Sequence, residues 1–454
     1  MQFSIPQNVK SIIRRLEDEG FEAYAVGGCV RDSFLGLKPQ DWDITTNALP
    51  EQIKKLYRRT VDIGIEHGTV KIMIGNEGYE VTTYRVDGEY EDSRHPKQVT
   101  FTGELAEDLK RRDFTINAMA YNDRTGIIDL FGGMEDLKNK IIRAVGDPRE
   151  RFSEDALRML RALRFSARFG FEIEKSTREA IKELAPTLTR ISAERIREEF
   201  EKLILSDNPD RMILASGLGI SKYFLPEWDD MLSCAQNSPH HFTDVGNHTI
   251  VAMNYLVEKY KDLNPIDMRI VRIATFFHDV GKPVMKFTGE DGVDHFTHHP
   301  EKGAQMTKEI LKRLKYDNDT IAKVYKLVYF HDARPELTKP SVRRFMVDAG
   351  PQNMQNLLVI KYVDLWAHAK YQWDEKVMNV KKLDEMYREI FEDGDCLSLR
   401  DLEISGSDVM ALGVKRGPDV GEILNKLFDR VLTEPSRNNR DYLLDAAKEL
   451  AVGI

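Results

Sequence analysis

Acidic, glycine and arginine residues crowd the stretch VGGCVRDSFLGLKPQDWDITT. Asp41 and Asp43 alternate with an aromatic residue, so on a strand both carboxylates would face the same side. Two carboxylates at this spacing repel each other unless a cation lies between them, and hard oxygen ligands suit Mg²⁺ in phosphoryl transfer. Upstream, Gly27 and Gly28 would let backbone N–H groups approach a phosphate, and Arg31 would supply charge. An isolated Asp-x-Asp pair is more often a solvated strand end, but this combination predicts a metal-dependent triphosphate site.

A second segment with regularly spaced charges is FSEDALRMLRALRFSARFGF. Its apolar residues predict an amphipathic helix, with Ser153 as the cap and Glu154 and Asp155 in the first turn. Arg-rich amphipathic helices are common in proteins, so the spacing alone assigns no function. Charged residues recur every three positions beside the apolar face: Asp155, Arg158, Arg161 and Arg164.

An aspartate next to an arginine can read the Watson–Crick edges of cytosine and adenine. Both bases present an amino donor beside a ring-nitrogen acceptor, so a carboxylate accepts from the amino group and a guanidinium donates to the ring nitrogen. Guanine and uracil present the reverse pattern and would leave polar groups opposed to like partners. Sites built on such hydrogen bonds discriminate by factors of about 10⁴ to 10⁵.

Histidines concentrate in the second half of the chain. A lone buried histidine is usually structural, but several beside helical apolar stretches suit a metal centre on which different helices converge. Five further histidines lie outside this pattern and are expected at the surface or in supporting positions: His240, His241, His295, His298 and His368. The candidate ligands are His248, His278, Asp279, His299, His331 and Asp364.

The elements that must position these residues change character along the 454-residue chain. Up to about residue 130, helical stretches alternate with strand-like runs such as TVKIMI and YEVTTYRV, whereas from Glu154 onward the pattern is almost wholly helical. We therefore predict an α+β protein, with a mixed-sheet head followed by helical neck, body, metal-binding domain and tail. The expected boundaries are 1–150 for the head, 151–235 for the neck and body, 236–370 for the metal-binding domain and 371–454 for the tail.

Composition and charge argue against a membrane, secreted or histone-like protein. No apolar run approaches the roughly 20 residues that span a bilayer, and the N-terminus lacks a secretory apolar core. The three cysteines have neither metal-ligand nor disulfide spacing, so a reduced, cytoplasmic protein without a membrane partner is expected. The formal net charge of −9 argues against a diffuse polycation. A local basic excess between residues 138 and 168 nevertheless suits RNA backbone.

The glycine and aspartate window resembles the signature of polymerase-β superfamily nucleotidyltransferases, specifically the bacterial class II CCA-adding enzymes and poly(A) polymerases. The resemblance implies that Asp41 and Asp43 are catalytic ligands of Mg²⁺, and that Gly27, Gly28 and Arg31 bind triphosphate. RRDFTINAMAYN resembles the second motif of the family, although by itself it would also fit a solvated charge cluster before a buried strand. The resemblance assigns nucleotide binding in this motif to Arg112, Asp113 and Asn117.

The resemblance extends to the helix and to two flanking segments. Glu154, Asp155 and Arg158 match the E-D-x-x-R motif that templates the incoming nucleotide, and Arg161 and Arg164 match further nucleotide-contacting arginines. EYEDSRHPKQVTFT, residues 89–102, matches a loop that is retained by family members adding the terminal A. ISAERIREEFEKLI resembles a fifth motif, which is expected to brace the base-reading helix.

The order of the histidines resembles the HD-domain phosphohydrolases, with HDVGKP as the specific core. This resemblance implies a binuclear site for an unidentified divalent transition metal. His248, His278, Asp279 and Asp364 would bind one ion, and His299 and His331 match ligands of a second.

Together the resemblances imply a CCA tRNA nucleotidyltransferase that uses CTP and ATP on the tRNA 3′ end and carries an additional HD domain. Two alternatives remain open on the motifs alone. One is an A-adding enzyme or a bacterial poly(A) polymerase on the same scaffold. The other is an HD phosphohydrolase whose head binds nucleotide or RNA without catalysis.

Overall fold

A mixed seven-stranded sheet organises the head in the computed structural model, which describes residues 5–88, 99–260 and 267–451. The strands are β1 Ala23–Val26, β2 Asp43–Thr46, β3 Thr60–Asp62, β4 Thr69–Ile74, β5 Glu77–Thr83, β6 Arg85–Asp87, β7 Val99–Phe101, β8 Met119–Asn122, β9 Gly126–Asp129, β10 Ile141–Ile142, β11 Glu172–Ile173, β12 Phe287–Thr288 and β13 Asp294–His295. The large sheet has the order β3-β4-β5-β2-β1-β8-β9. Its β2 and β5 are parallel, and the other neighbouring pairs are antiparallel.

The chain divides into two compact units, Met1–Pro226 and Glu227–Ile454. The first unit contains the large sheet and, after it, helices that continue to the end of the unit. Its helices are α1 Gln7–Asp18, α2 Gly28–Phe34, α3 Pro50–Leu56, α4 Leu105–Lys110, α5 Gly133–Asn139, α6 Pro148–Glu154, α7 Leu157–Phe169, α8 Lys175–Leu184, α9 Ala193–Ile204 and α10 Met212–Gly217.

The second unit is helical apart from the short β12–β13 pair among its described residues. Helix α11 begins at its boundary. The helices are α11 Pro226–Ser233, α12 Val245–Tyr260, α13 Met268–Phe277, α14 Lys282–Met285, α15 His299–Arg313, α16 Asn318–Phe330, α17 Lys339–Ala349, α18 Met354–Ala367, α19 Trp373–Glu392, α20 Gly406–Ala411, α21 Pro418–Thr433 and α22 Arg440–Ala451.

Hydrophobic periodicity explains why these elements form. In α1 the residues Val9, Ile12, Ile13 and Leu16 recur on one face, and all four are buried. In β4 the side chains of Val70 and Ile72 point into the core while their neighbours are partly exposed. On the opposite face of the sheet, Tyr24, Val26 and Ala120 belong to a core cluster that also contains Tyr84, Leu105 and Leu109. The predicted α+β class, with a mixed-sheet head and a helical remainder, is confirmed.

Two local details differ from the sequence-based expectation. Strand β2 begins at Asp43, so Asp41 lies on the segment before the strand and not within it. The charged segment also forms two helices, because Ser153 lies inside α6 and the chain is extended at Asp155 before α7 begins. The apolar periodicity continues across this break, which is why the sequence predicted one helix.

Two expectations concern the surface and the membrane. Residues 89–98 of the segment matched to the A-adding loop lie outside the described residues. None of the helices in the described ranges has the length and apolar character needed to cross a bilayer. The division into four domains stays a prediction beside the two compact units.

Candidate active site and candidate metal centre

A tight connection between β1 and α2 brings Gly27 next to Arg112. Gly27 has φ +80°, a backbone region that favours glycine, and its N–H donates to the carbonyl of Met119 at 3.1 Å. A Cβ at this position would lie 2.8 Å from Nη1 of Arg112. Glycine at position 27 therefore allows Arg112 to lie this close to the start of α2. Gly28 is the first residue of that helix.

Arg31 connects three of the predicted segments. Only 3% of this side chain is exposed. It donates through Nε to Asp32 at 2.8 Å and through Nη1 to Oδ1 of Asn117, and its guanidinium carbon lies 5.1 Å from the Phe165 ring centroid and 4.9 Å from that of Phe169. Burial lowers the pKa of Arg31, against the opposing charge of Asp32, but an arginine stays protonated. Arg31 thus links α2, the second motif and the Arg-rich helix α7.

The two predicted catalytic carboxylates border a cleft of about 630 Å³. The parallel register of β2 and β5 places Glu80 opposite Asp43, and Glu80 also lines the cleft. Surrounding protein raises the pKa of the Asp43 carboxyl, Glu80 and Asp41 add to this effect, and Arg112 opposes it. A divalent cation would relieve the repulsion that the two neighbouring carboxylates exert on Asp43.

Asp113 holds the second motif against α7. Its Oδ1 accepts from Nδ2 of Asn117 at 2.9 Å, and its Oδ2 accepts from Nε and Nη2 of Arg161 at 2.8 and 2.6 Å. Burial alone would raise the pKa of Asp113, but the charge of Arg161 and the hydrogen bonds from both partners hold it well below its usual range. The carboxylate is therefore ionised and fixed.

The predicted base-reading aspartate is held by a helix distant in sequence. The Oδ1 of Asp155 accepts from the N–H of Leu157 at 3.1 Å. Arg195 of α9 donates to the same carboxylate through both terminal nitrogens, at 2.7 and 3.3 Å. This two-point contact fixes the plane of the carboxylate. Arg195 lies in the motif that is expected to brace the base-reading helix, but nothing in the local sequence singles it out.

The arginines of α7 are engaged by neighbouring groups. Arg158 donates to Oε2 of Glu154 at 2.5 Å and to the carbonyl of Arg111 at 3.1 Å. Glu199 is 5% exposed and lies 2.8 Å from Nε of Arg164. Burial lowers the pKa of Arg164 to about 10, although the charge of Glu199 opposes this shift. The ridge is therefore a partly buried, paired network and not a loosely solvated face.

The six predicted ligands of the metal centre converge in the second unit. They come from five helices or helix ends, as the sequence predicted. His248 lies in α12, His278 and Asp279 follow α13, His299 begins α15, His331 follows α16, and Asp364 lies in α18.

Asp279 lies between two groups of imidazoles. Its Oδ2 is 3.3 Å from Nε2 of His278 and 3.6 Å from Nε2 of His248. Its Oδ1 is 3.3 Å from Nε2 of His299 and 3.6 Å from Nε2 of His331. Asp364 joins the first group, with Oδ1 2.9 Å from Nε2 of His248. This arrangement suits two ions bridged by one carboxylate.

The outer nitrogens of the imidazoles are oriented as in metal-binding histidines. Nδ1 lies within 2.8 Å of a backbone carbonyl in His278, His299 and His331, which leaves Nε2 directed at the centre. Within the described part of the chain, Nε2 of His278 is buried and makes no hydrogen bond. An unsatisfied buried ligand atom of this kind fits a metal ion.

The centre requires positive charge. Burial alone would lower the pKa of His278, but the negative charges of Asp279 and Asp364 raise it to about 10. A metal ion bound at this position would supply positive charge in place of a proton. Zinc, manganese and iron all accept nitrogen and carboxylate ligands, so the donor set suits a divalent transition metal.

Three residues near the centre were not assigned to it from the sequence. Lys282 of the HDVGKP stretch lies with Nζ 2.7 Å from Oδ2 of Asp279. The rings of His241 and His368 lie 5.0 and 5.3 Å from that of His248, so these two histidines take supporting positions. His295 and His298 are exposed, in agreement with the surface positions expected for them.

The chain is similar to known proteins along most of its length. Three family models match it: the Poly A polymerase head domain over residues 23–143, the Probable RNA and SrmB- binding site of polymerase A over 170–232, and tRNA nucleotidyltransferase domain 2 putative over 295–447. The crystal structure of the Bacillus stearothermophilus CCA-adding enzyme in complex with CTP has a TM-score of 0.71 and 27% identity, over 98% of this chain and 96% of that one.

Two relatives in sequence carry the same name. A CCA-adding enzyme of Leuconostoc mesenteroides is 53% identical over 206 residues, so this chain spans about half of its length, 51%. A CCA-adding enzyme of Limosilactobacillus fermentum is 55% identical over 447 residues, which cover 97% of this chain and 96% of that protein. The chain therefore belongs to the CCA-adding enzymes, a family of nucleotidyltransferases.

Proposed function

We propose that this protein builds or repairs the 3′-terminal CCA of tRNA in the cytoplasm, using CTP and ATP and releasing pyrophosphate. The observation that carries the proposal is the cleft bordered by Asp41, Asp43 and Glu80, with the charge of Arg112 close enough to act on the Asp43 carboxyl. These residues all lie in the segment that the Poly A polymerase head domain model matches.

Asp41 and Asp43 would hold Mg²⁺ in the head. When bound, Mg²⁺ lowers the pKa of the attacking hydroxyl and neutralises charge on the leaving pyrophosphate. Gly27 and Gly28 offer backbone N–H groups to the triphosphate, and Arg112 adds a guanidinium. The resemblance assigns triphosphate binding to Arg31 as well, but this side chain is buried and engaged by Asp32 and Asn117, so it would instead hold the loop in place. Asp113 and Asn117 would contact the ribose.

Base selection falls to Asp155 and Arg158. The carboxylate accepts from N4 of cytosine or N6 of adenine, and the guanidinium donates to N3 or N1. Arg195 holds the carboxylate of Asp155, and Glu154 holds Arg158, so both groups are oriented before the base arrives. Arg161 and Arg164 complete the nucleotide-contacting ridge.

Incorporation of each labelled nucleoside triphosphate onto three tRNA transcripts tests this proposal. The transcripts end at the discriminator base, after C and after CC. Addition of C, C and A, with arrest after A, is expected. Addition of A alone to the CC-ending transcript would identify an A-adding enzyme, and continued addition of A would identify a poly(A) polymerase.

The matched control is the Asp41→Asn/Asp43→Asn double variant, which should retain the fold and lose incorporation. A principal activity that survives this change would refute the transferase proposal and favour a head that only binds nucleotide or RNA.

We further propose that residues 236–370 form an HD domain with metal-dependent phosphohydrolase activity. The specific observation is the bridging position of Asp279 between His248 and His278 on one side and His299 and His331 on the other. A bound transition metal acidifies water, which can then attack a phosphoester.

Release of phosphate from nucleotide phosphoesters tests this second proposal. The release should require Mn²⁺, persist in Asp43→Asn and disappear in Asp279→Asn. Phosphate release that persists in Asp279→Asn would refute the assignment.

A further inference from the structure

The cavity in front of the candidate metal centre receives one wall from the C-terminal tail. It has a volume of about 440 Å³, within the range of about 300–1,000 Å³ typical of small-molecule sites. One side carries the centre, including Asp279, His299, His331 and Asp364; the other carries Gln372, Glu375, Lys376 and Asn379 at the start of α19. The sequence assigned no function to the tail, yet the tail completes this cavity.

Lys376 presents a positive charge to the cavity. Its Nζ lies 3.0 Å from Nδ1 of His240, and because lysine only donates, that imidazole nitrogen accepts. The carbonyl of His240 in turn accepts from the N–H of Ala369 at 2.8 Å, which ties the loop to the end of α18. Among the described residues, no carboxylate forms a direct ion pair with Lys376, although the charges of Asp364 and Asp332 act on it from a greater distance. The ammonium therefore keeps donors that can reach a ligand in the cavity.

Two further cations border the cavity but are already engaged. Nζ of Lys282 contacts Asp279 at 2.7 Å and donates to Gln236 at 3.0 Å. One terminal nitrogen of Arg334 donates to Asp332 at 2.9 Å, and its remaining donors are available in a side chain that is 77% exposed. Burial, with the charge of Arg334, lowers the pKa of Lys376, so an anion between these two side chains would relieve their repulsion.

The balance of charge favours an anionic ligand once metal is present. Four acidic and three cationic side chains line the cavity. Two divalent ions would convert this excess of one negative charge into an excess of about three positive charges. A phosphate group that bridges the metal centre and the tail would offset that excess.

We propose that Lys376 and Arg334 bind the phosphate of a nucleotide-sized phosphoester in this cavity, so that the tail helix α19 determines which substrates the metal centre accepts. This inference rests on the proposed HD metal centre. Lys376 is the principal contact because it is partly buried and has no acidic partner in the described ranges. Arg334 acts at the rim, where water screens its charge.

The test measures phosphate binding to the metal-loaded full chain. All variants carry Asp41→Asn/Asp43→Asn, so that the head holds no manganese and phosphate bound there is not broadened. Manganese content is measured after equilibrium dialysis. Binding of inorganic phosphate is then followed by the paramagnetic broadening of its ³¹P signal. Lys376→Met is compared with Lys376→Arg and with Lys381→Met, which removes an exposed lysine of the same helix.

The expected result is equal manganese content in all variants and phosphate binding about tenfold weaker in Lys376→Met, since hydrogen bonds to charged groups contribute at that level. Lys376→Arg should retain binding, and Lys381→Met should match the parent. Equal phosphate affinity in Lys376→Met, or no phosphate binding by the manganese-loaded parent, would overturn the inference. Absence of manganese from the parent would instead overturn the HD metal centre on which it rests.

Discussion

At the scale of single residues, Asp43 is a proposed metal ligand that also lowers the stability of the folded chain at neutral pH. Its pKa is raised in the folded chain, so the folded state binds more protons at this site than the unfolded state. The contribution of Asp43 to the free energy of unfolding therefore falls as pH rises from the pKa of the unfolded chain to the higher pKa of the folded chain. At neutral pH this loss of stability is complete.

Replacement of Asp43 should separate activity from stability. In Asp43→Asn, incorporation of CTP should fall about a thousandfold, because a metal ligand is lost. Without divalent metal at pH 7, the free energy of unfolding should rise by about 0.5 kcal/mol or less, since the side chain is exposed and screened. Urea unfolding at pH 7 and below pH 4 measures the second effect, which should vanish at the lower pH. A less stable variant at pH 7 would contradict this account.

Gly27→Ala should weaken triphosphate binding through Arg112. The new Cβ meets the guanidinium at 2.8 Å, so the arginine must move. Gly20→Ala is the matched control, because Gly20 has φ +85° and open space around its position. Both variants should lose about 1–2 kcal/mol of stability from the backbone conformation. Only Gly27→Ala should raise the KM for CTP, and an equal KM in the two variants would refute the proposed role of Arg112.

At the scale of elements, helix α8 has a side-chain cap whose effect depends on pH. Glu174 accepts from the N–H of Thr177 at 2.9 Å and from the hydroxyl of Ser176 at 2.7 Å. Burial opposes ionisation, but these hydrogen bonds lower the pKa of Glu174 to about 2, from 4.5. Because the folded pKa is depressed, the stabilisation is present above pH 4.5 and is lost as pH falls towards about 2.

Glu174→Gln should therefore destabilise the first unit by about 1 kcal/mol at pH 7, the usual contribution of an N-cap, and by little near pH 2. Urea midpoints at the two pH values measure this difference. Glu179→Gln, an exposed position of the same helix, should change neither midpoint. A constant deficit across the whole pH range would exclude the capping carboxylate as its cause.

Helices α7 and α9 should act together in base selection. Arg195→Met would leave Asp155 without its two-point contact, so the carboxylate would sample more orientations. The preference for CTP over UTP should fall about tenfold, with a smaller change in the KM for CTP. Lys202→Met, an exposed residue of α9, is the control. Unchanged discrimination in Arg195→Met would mean that Asp155 is positioned by the helix break alone.

At the scale of the whole molecule, the two units should respond separately to metal. In the Asp41→Asn/Asp43→Asn background, added Mn²⁺ should stabilise the chain by about 2.7 kcal/mol at a hundredfold excess over the dissociation constant. Calorimetry measures the shift in unfolding temperature. Asp279→Asn should remove most of this shift and a chelator should reverse it, whereas an equal shift in Asp279→Asn would place the metal elsewhere.

Local patterns in the sequence determined which segments form strands and helices, because burial of alternate or every third to fourth residue requires only near neighbours. The mixed-sheet head and helical remainder follow from them. The order of the histidines likewise indicated a shared centre, and the structure brings His248, His278 and Asp364 together. The chemical roles of these residues stay predictions.

Only the tertiary structure decided which distant side chains meet. The register of β2 and β5 placed Glu80 opposite Asp43, and no local pattern specifies a register between separate strands. Arg195 reaches Asp155 across 40 positions of the chain, and α19 brings Lys376 to His240 across 136. Such contacts form only when whole elements pack against one another, because this packing must offset the entropy that is lost in closing the long intervening loop.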